Sequence, residues 1–329
     1  MTTTKTLWRG AMLVAAALAA ATLMPGGQSR AEDLLRVGNP SATAFSFVPV
    51  NVAMETGIFA RNGLKIEYSA FGGDAKLQQA MIADSMDIAV ASGPALAFVQ
   101  KGAPELGIAA TAGPPLLLVW SVRADLPIRT IKDLKGTKVA VSTGGSLTDW
   151  LPKELSRQQG WGPDGITTVH TGGGPPALMA VRNKQVEGWV TGVNQAWDLE
   201  AKGEMRTIVK FGDVVRDFIM HVTYATNKII EKNPDAVRRF NKSWFEAIKF
   251  MRANKAETVK IAAPVIGSDE ALTARTYDEL MPMFSDTGKF DKKALAVLSR
   301  SFVELGTLDK EPDMSKLYTE KFLPASVTH

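Results

Sequence analysis

Three histidines (His170, His221 and His329) and a complete lack of cysteine bound the chemistry open to this chain of 329 residues. None of the histidines lies in a His-Glu-x-x-His helix, and the acids near them lack metal-ligand spacing, so neither a catalytic nor a structural metal is expected. Gly144-Gly145-Ser146-Leu147-Thr148 approaches the Gly-x-Ser-x-Gly nucleophile elbow but lacks its last glycine, which argues against a Ser-His-Asp triad built on Ser146. No Gly-x-Gly-x-x-Gly follows a strand and no Gly-x-x-x-x-Gly-Lys-Ser/Thr occurs, so nucleotide cofactors have no cradle. The expectation is a protein without cofactor and without catalytic residues.

What the chain does carry is a set of loops rich in Gly, Ser, Thr and Asn, each following a predicted strand: Asn39 to Phe47, Ala91 to Ala95, Thr111 to Pro114, Ser142 to Asp149, Thr171 to Pro175, and Thr191 to Asn194. In a parallel sheet such loops gather at the carboxyl ends of the strands, where α/β folds bind ligands. The fourth loop is the sharpest, because Ser142-Thr143-Gly144-Gly145-Ser146 runs straight into the helical stretch Leu147 to Gln159. Two readings stay open there. The exposed amides and the helix dipole would suit an anion, or glycine and serine simply form a turn and cap the helix. None of these loops supplies an Arg or Lys clamp. Neutral donors with aromatic walls at Phe45, Phe47, Trp150 and Trp197 fit a small, planar solute.

The elements that would position these loops alternate. Leu34 to Gly38 reads as a strand, Val48 to Ala60 as a helix, Leu64 to Ala70 as a strand, Lys76 to Ala83 as a helix and Asp87 to Ala91 as a strand. That order implies crossover units and a mostly parallel sheet covered by helices on both faces. The pattern then repeats. GGDAKLQQAMIADSMDIAVAS from Gly72 and GGGPPALMAVRNKQVEGWVTG from Gly172 align glycine with glycine, Ala80 with Ala180, Asp87 with Glu187 and Val90 with Val190. Two similar α/β lobes follow from the repeat. The apolar run Leu116 to Val122 links them and Ile219 to Thr226 leads back, so residues 32–122 and 220–329 are expected to form lobe one and 123–219 an inserted lobe two. Asn233-Pro234 opens a later helix whose buried stripe is Val237, Phe240, Trp244, Ile248 and Met251.

Composition supports a globular chain: 45% of residues are hydrophobic and 22% charged. Lys5 and Arg9 precede an apolar run from Ala11 to Met24, and Ser29-Arg30-Ala31 offers small residues at a cut site. Residues 1–31 read as a secretory signal peptide, cleaved after Ala31 and placing the mature protein in the periplasm. The run falls short of the roughly 20 residues that cross a bilayer. Without the signal's Lys5, Arg9 and Arg30 the remainder is close to neutral, which excludes nucleic acid and anionic membranes as electrostatic partners.

VGNPSATAF, ASGPALAF, IRTIKDLKGTKVAVSTGGSL and GGGPPALMAVRNKQVEGWV together resemble the periplasmic binding proteins of ABC importers in the nitrate, sulfonate and taurine group, also called NMT1/THI5-like. The resemblance covers nearly the whole mature chain. It implies a two-lobed type II fold, a ligand cleft between lobes, and an ABC permease in the inner membrane that reads the closed form of a monomeric receptor. Carried onto this chain, ligand contacts would come from Ser41, Thr43, Ser92, Gly93, Gly144, Gly145, Ser146, Thr191 and Asn194, with Phe45 as a wall. Val193-Asn194 stands where many relatives have an acid followed by proline, which argues against taurine-like and aminopyrimidine ligands. The resemblance implies as ligand a small sulfonate-, carboxylate- or nitrate-like anion, or a small heterocycle. The rival readings are a pyrimidine-precursor-synthase-like enzyme of the same fold and a ligand sensor docking on a receptor kinase.

Overall fold

The computed structural model describes residues 32–162 and 164–325. The expected signal peptide, its cleavage after Ala31, and His329 lie outside the described residues. Ten strands are described: β1 (Asp33–Asn39), β2 (Leu64–Ala70), β3 (Ile88–Ser92), β4 (Glu105–Ala112), β5 (Leu118–Arg123), β6 (Lys138–Val141), β7 (Thr167–His170), β8 (Gly188–Gly192), β9 (Met205–Lys210) and β10 (His221–Thr226). They form two five-stranded sheets, ordered β2-β1-β3-β10-β4 and β7-β6-β8-β5-β9.

Each sheet is mixed, not purely parallel. In the first, β1 pairs in parallel with β2 and β3, whereas β10 runs antiparallel to both β3 and β4. In the second, β6 pairs in parallel with β7 and β8, and β5 runs antiparallel to β8 and β9. One reversed strand therefore sits inside each sheet, between neighbours that share a direction.

The reversed strands change one expectation. A lobe boundary at residue 122 would leave β5 in the first lobe, but β5 lies in the second sheet. Leu118 to Val122 are all buried. A strand apolar on both faces needs a place inside a sheet, and the gap between β8 and β9 provides it. The return strand β10 fills the matching gap between β3 and β4.

The repeat seen in the sequence is visible as geometry. Helices Asp74–Ile82 and Gly174–Arg182 each follow a positive-φ glycine, Gly73 or Gly173. Each helix ends in a turn with a left-handed non-glycine residue, Asp84 (φ 56°) or Lys184 (φ 59°), and strands β3 and β8 come next. Beyond β3 the Gly93 amide donates to Met220 O at 2.9 Å, and beyond β8 the Val193 amide donates to Leu117 O at 3.0 Å. Each sheet is thus tied at the same point to one of the two chain segments that cross between lobes.

Local signals hold with one interruption. Asn233 accepts from the Ala236 amide at 3.1 Å and Pro234 opens helix Pro234–Ala253, which buries Val237, Phe240, Trp244, Ile248 and Met251. The helix expected from Val48 to Ala60 breaks after Glu55 and resumes at Ile58, because Gly57 takes a left-handed φ of 69°.

Candidate functional site

A cavity of about 500 Å³ opens between the lobes, within the size range of small-molecule sites. Its walls come from Thr43–Ser46 beyond β1, Leu117 in the crossing segment, Gly192–Gln195 at the start of helix Val193–Ala201, and residues 266–268, Leu272 and Leu280 from the C-terminal helices. None of these lining residues is charged. Hydroxyls and amides at Thr43, Ser46, Asn194, Gln195 and Ser268 face an apolar remainder, so the cavity can hold a small molecule by neutral hydrogen bonds.

Of the residues expected to bind ligand, Thr43, Phe45 and Asn194 line this cavity. The Phe45 ring is largely core: it meets Tyr277 edge-on, centroids 6.5 Å apart, and lies tilted against Phe284. Asn194 Oδ1 accepts from Thr276 Oγ1 at 2.9 Å. Ser41 stands at the carboxyl end of β1, its amide donating to Asn39 Oδ1 at 2.8 Å. Thr191 is buried and donates to Gln195 Oε1 at 2.9 Å.

Ser92 and Gly93 are occupied by the fold. The Ser92 amide donates to the Asp74 carboxylate at 3.2 Å, and its carbonyl accepts from Tyr224 Oη at 2.8 Å. A Cβ on Gly93 would fall 2.0 Å from Ile219 O, so the glycine is there for backbone approach.

The Ser142 to Asp149 loop resolves toward the cap. Ser146 Oγ donates to Thr143 O at 2.7 Å, accepts from the Asp149 amide at 3.3 Å, and lies within 3.0 Å of the Ser142 and Thr148 hydroxyls. The Gly145 amide donates to Asp149 Oδ2 at 3.1 Å. Helix Leu147–Gln158 therefore has a carboxylate of its own at its positive end. Burial opposes charge on Asp149, but hydrogen bonds from Lys153, Thr168 and the Gly145 amide outweigh it and hold the carboxyl below its usual range. Gly144 packs beside His170, whose Nε2 lies 3.4 Å from Asp149 Oδ1. Among the described residues Ser146 and His170 share no hydrogen bond, so the Asp-His pair does not extend to a nucleophile.

The remaining aromatic walls are also structural. Phe47 and Trp150 are buried, and the Arg275 guanidinium covers the Trp197 ring at 3.8 Å from its centroid. Two seams join the lobes, one of them reaching the cavity at Asn194. On one side Asn194 meets Thr276, Trp197 meets Arg275, and Lys210 Nζ meets Glu279 at 2.6 Å. On the other Trp150 Nε1 donates to Glu304 at 2.7 Å, Arg300 reaches Glu154, and Trp150 stacks on Phe218 from the crossing segment.

Sequence reasoning missed Asp149, Gln195, Ser46 and Thr276. Asp149 had a usable signal, since Ser146 followed three residues later by an acid is capping spacing. Thr276 had none, because its partner lies far away in sequence. Among the described residues no group of three or more His, Asp or Glu could hold a metal ion.

The family model described as NMT1/THI5 like matches residues 44–258. A search of curated proteins returns no match. Among solved structures, the alkanesulfonate-binding protein SsuA from Xanthomonas axonopodis pv. citri bound to MOPS superposes with a TM-score of 0.71 at 20% identity, over 88% of this chain and 99% of that one. The periplasmic nitrate-binding protein NrtA from Synechocystis PCC 6803 gives 0.68 at 16% identity, over 88% and 87%. A cysteine-to-serine mutant of DSZB in complex with biphenyl-2-sulfinic acid gives 0.63 at 15% identity, over 88% and 97%. At these identities the likeness is one of fold: the two-lobed α/β arrangement of periplasmic binding proteins.

Proposed function

The chain belongs to the NMT1/THI5-like family, and on that premise we propose that it is an extracytoplasmic receptor delivering a small solute to an ABC importer. The observation that carries this reading is the cavity walled by both lobes: a molecule seated there would touch both at once and hold them together. The ligand class that fits is an organic or inorganic anion of sulfonate, carboxylate or nitrate type, or a small heterocycle. Thr43 and Asn194 would supply contacts, joined by Gln195 and Ser46. The sulfonate- and nitrate-binding proteins of the same fold favour the same class.

An enzymatic role has less support. One structure of this fold is a cysteine-to-serine mutant that holds a sulfinic acid, whereas this chain has no cysteine anywhere. A thermal-shift screen of the mature protein against sulfonates, carboxylates, nitrate and heterocycles tests the receptor reading, because a ligand that binds only the native state raises its melting temperature by mass action. Turnover of any ligand found would overturn it in favour of an enzyme.

A further inference from the structure

Asn194 and Gln195 open helix Val193–Ala201 and both line the cavity. Each has its side-chain carbonyl engaged by a threonine: Thr276 Oγ1 donates to Asn194 Oδ1 and Thr191 Oγ1 to Gln195 Oε1, both at 2.9 Å. The Thr276 hydroxyl also lies 2.8 Å from Leu272 O. The one hydroxyl proton is therefore shared between Leu272 O and Asn194 Oδ1, both within hydrogen-bond distance. With both amide oxygens taken, Nδ2 of Asn194 and Nε2 of Gln195 are the groups left to meet a ligand. The Val193 amide is held by Leu117 O, and the first turn adds the backbone N-H groups of Asn194 and Gln195, because Gly192 at the N-cap has no side chain to satisfy them. This end of the cavity presents donors.

The two threonines differ in where they stand. Thr191 is on β8, in the same lobe as Gln195. Thr276 is fully buried on helix Glu270–Leu280, which packs on the other lobe through Tyr277 against Phe45. The bond that orients Asn194 therefore exists only while the lobes are together. Arg275 on Trp197 and Lys210 with Glu279 hold the same seam but leave the amide untouched.

We infer that Thr276 is a positioning residue that couples lobe closure to ligand polarity: closure turns the Asn194 amide so that its NH₂ group faces the cavity. The closed form alone then offers a complete donor face, suited to the acceptor oxygens of a sulfonate, carboxylate or nitrate. This rests on the receptor reading of the same cavity. Separation of the lobes releases Asn194, and the site loses its polarity along with its shape.

The test uses Thr276→Val, which keeps the side-chain shape, and Thr276→Ser, which restores the hydroxyl. The cysteine-free chain accepts spin labels at Lys76→Cys and Met179→Cys, on the two equivalent helices of the lobes. Thr276→Val should move the ligand-free label distances toward longer values, and Thr276→Ser should leave them at wild type. Affinity for 1-butanesulfonate, butyrate and nitrate, by calorimetry, should fall about tenfold in Thr276→Val, the scale of one lost hydrogen bond, and recover in Thr276→Ser. Butylammonium should not compete.

Unchanged distances and affinities in Thr276→Val, or butylammonium binding as well as butanesulfonate, would overturn the inference while leaving the receptor reading intact. If wild type binds none of the probes, the receptor reading loses its support, and the label distances still decide whether Thr276 governs closure.

Discussion

The Asp149 carboxylate accepts the Gly145 amide at 3.1 Å and so fills, from within the chain, the place at a helix start where an external anion would otherwise sit. The loop that looked most like an anion cradle is neutralised by its own helix. The start of helix Val193–Ala201, by contrast, has no side-chain cap, and Asn194 and Gln195 there line the cavity.

The Leu147 helix start should accordingly govern stability and not affinity. Ser146→Ala should cost about 1 kcal/mol as a lost cap. Asp149→Ala should cost about 1–3 kcal/mol, since the Gly145 amide and the Lys153 ammonium lose a buried acceptor. Urea unfolding measures both, and calorimetry with a ligand from the screen should show affinity within about twofold of wild type. A large affinity loss without a stability loss would return this loop to the binding site.

Two glycines near the carboxyl ends of matching strands should respond in opposite ways to alanine. Gly93→Ala places a Cβ 2.0 Å from Ile219 O, a backbone atom with little freedom to move, and should cost more than about 2 kcal/mol. At Gly192 a Cβ meets nothing within 4 Å and φ is −67°, so Gly192→Ala should fall within about 1 kcal/mol of wild type. Melting temperatures of the two variants check the contrast.

Stability should fall on both sides of a plateau between about pH 4.5 and 6.5, where two buried groups have opposing effects. Burial pushes the Glu105 carboxyl up from 4.5 to about 8, with Gln78 offsetting part of the effect. Because the folded state holds this proton more tightly, the stabilisation is full below the unfolded value and disappears as pH rises through about 8. Burial lowers His221 from 6.5 to about 3. Its contribution is present above 6.5 and is lost as pH falls toward 3. Denaturation midpoints from pH 3 to 9 should show both slopes, with Glu105→Gln flattening the fall above the plateau and His221→Asn reducing the fall below it.

In a bacterial host with a periplasm, the exported protein should begin at Glu32. Intact-mass analysis of the periplasmic fraction decides this, and a product retaining residues 1–31 would contradict it.

Much of the fold was legible because burial periodicity and turn glycines are local: β2 runs from Leu64 to Ala70 as expected, and the Gly72 and Gly172 segments fold alike. What escaped was sheet membership. Leu118 to Val122 reads as a strand, yet nothing local says which sheet will bury both of its faces. Of the expected contact residues, Thr43, Phe45 and Asn194 line the cavity, where loop position sufficed. Ser92, Gly93 and Ser146 carry the residue types of a binding loop, but a hydroxyl that caps a helix and one that meets a ligand have the same spacing in sequence. Thr276 becomes meaningful only once the fold brings it to Asn194.

The exchange of strands between the sheets also orders the assembly of the molecule. Among the described strands β4 pairs with β10 alone, and its far edge is bridged by Phe284 and Tyr318, so Glu105–Ala112 stays unpaired until residues 113–220 have been made and placed. The second sheet is built from one continuous stretch, β5 to β9, and waits for nothing downstream. A chain emerging from its N-terminus therefore begins the first lobe earliest and completes it last.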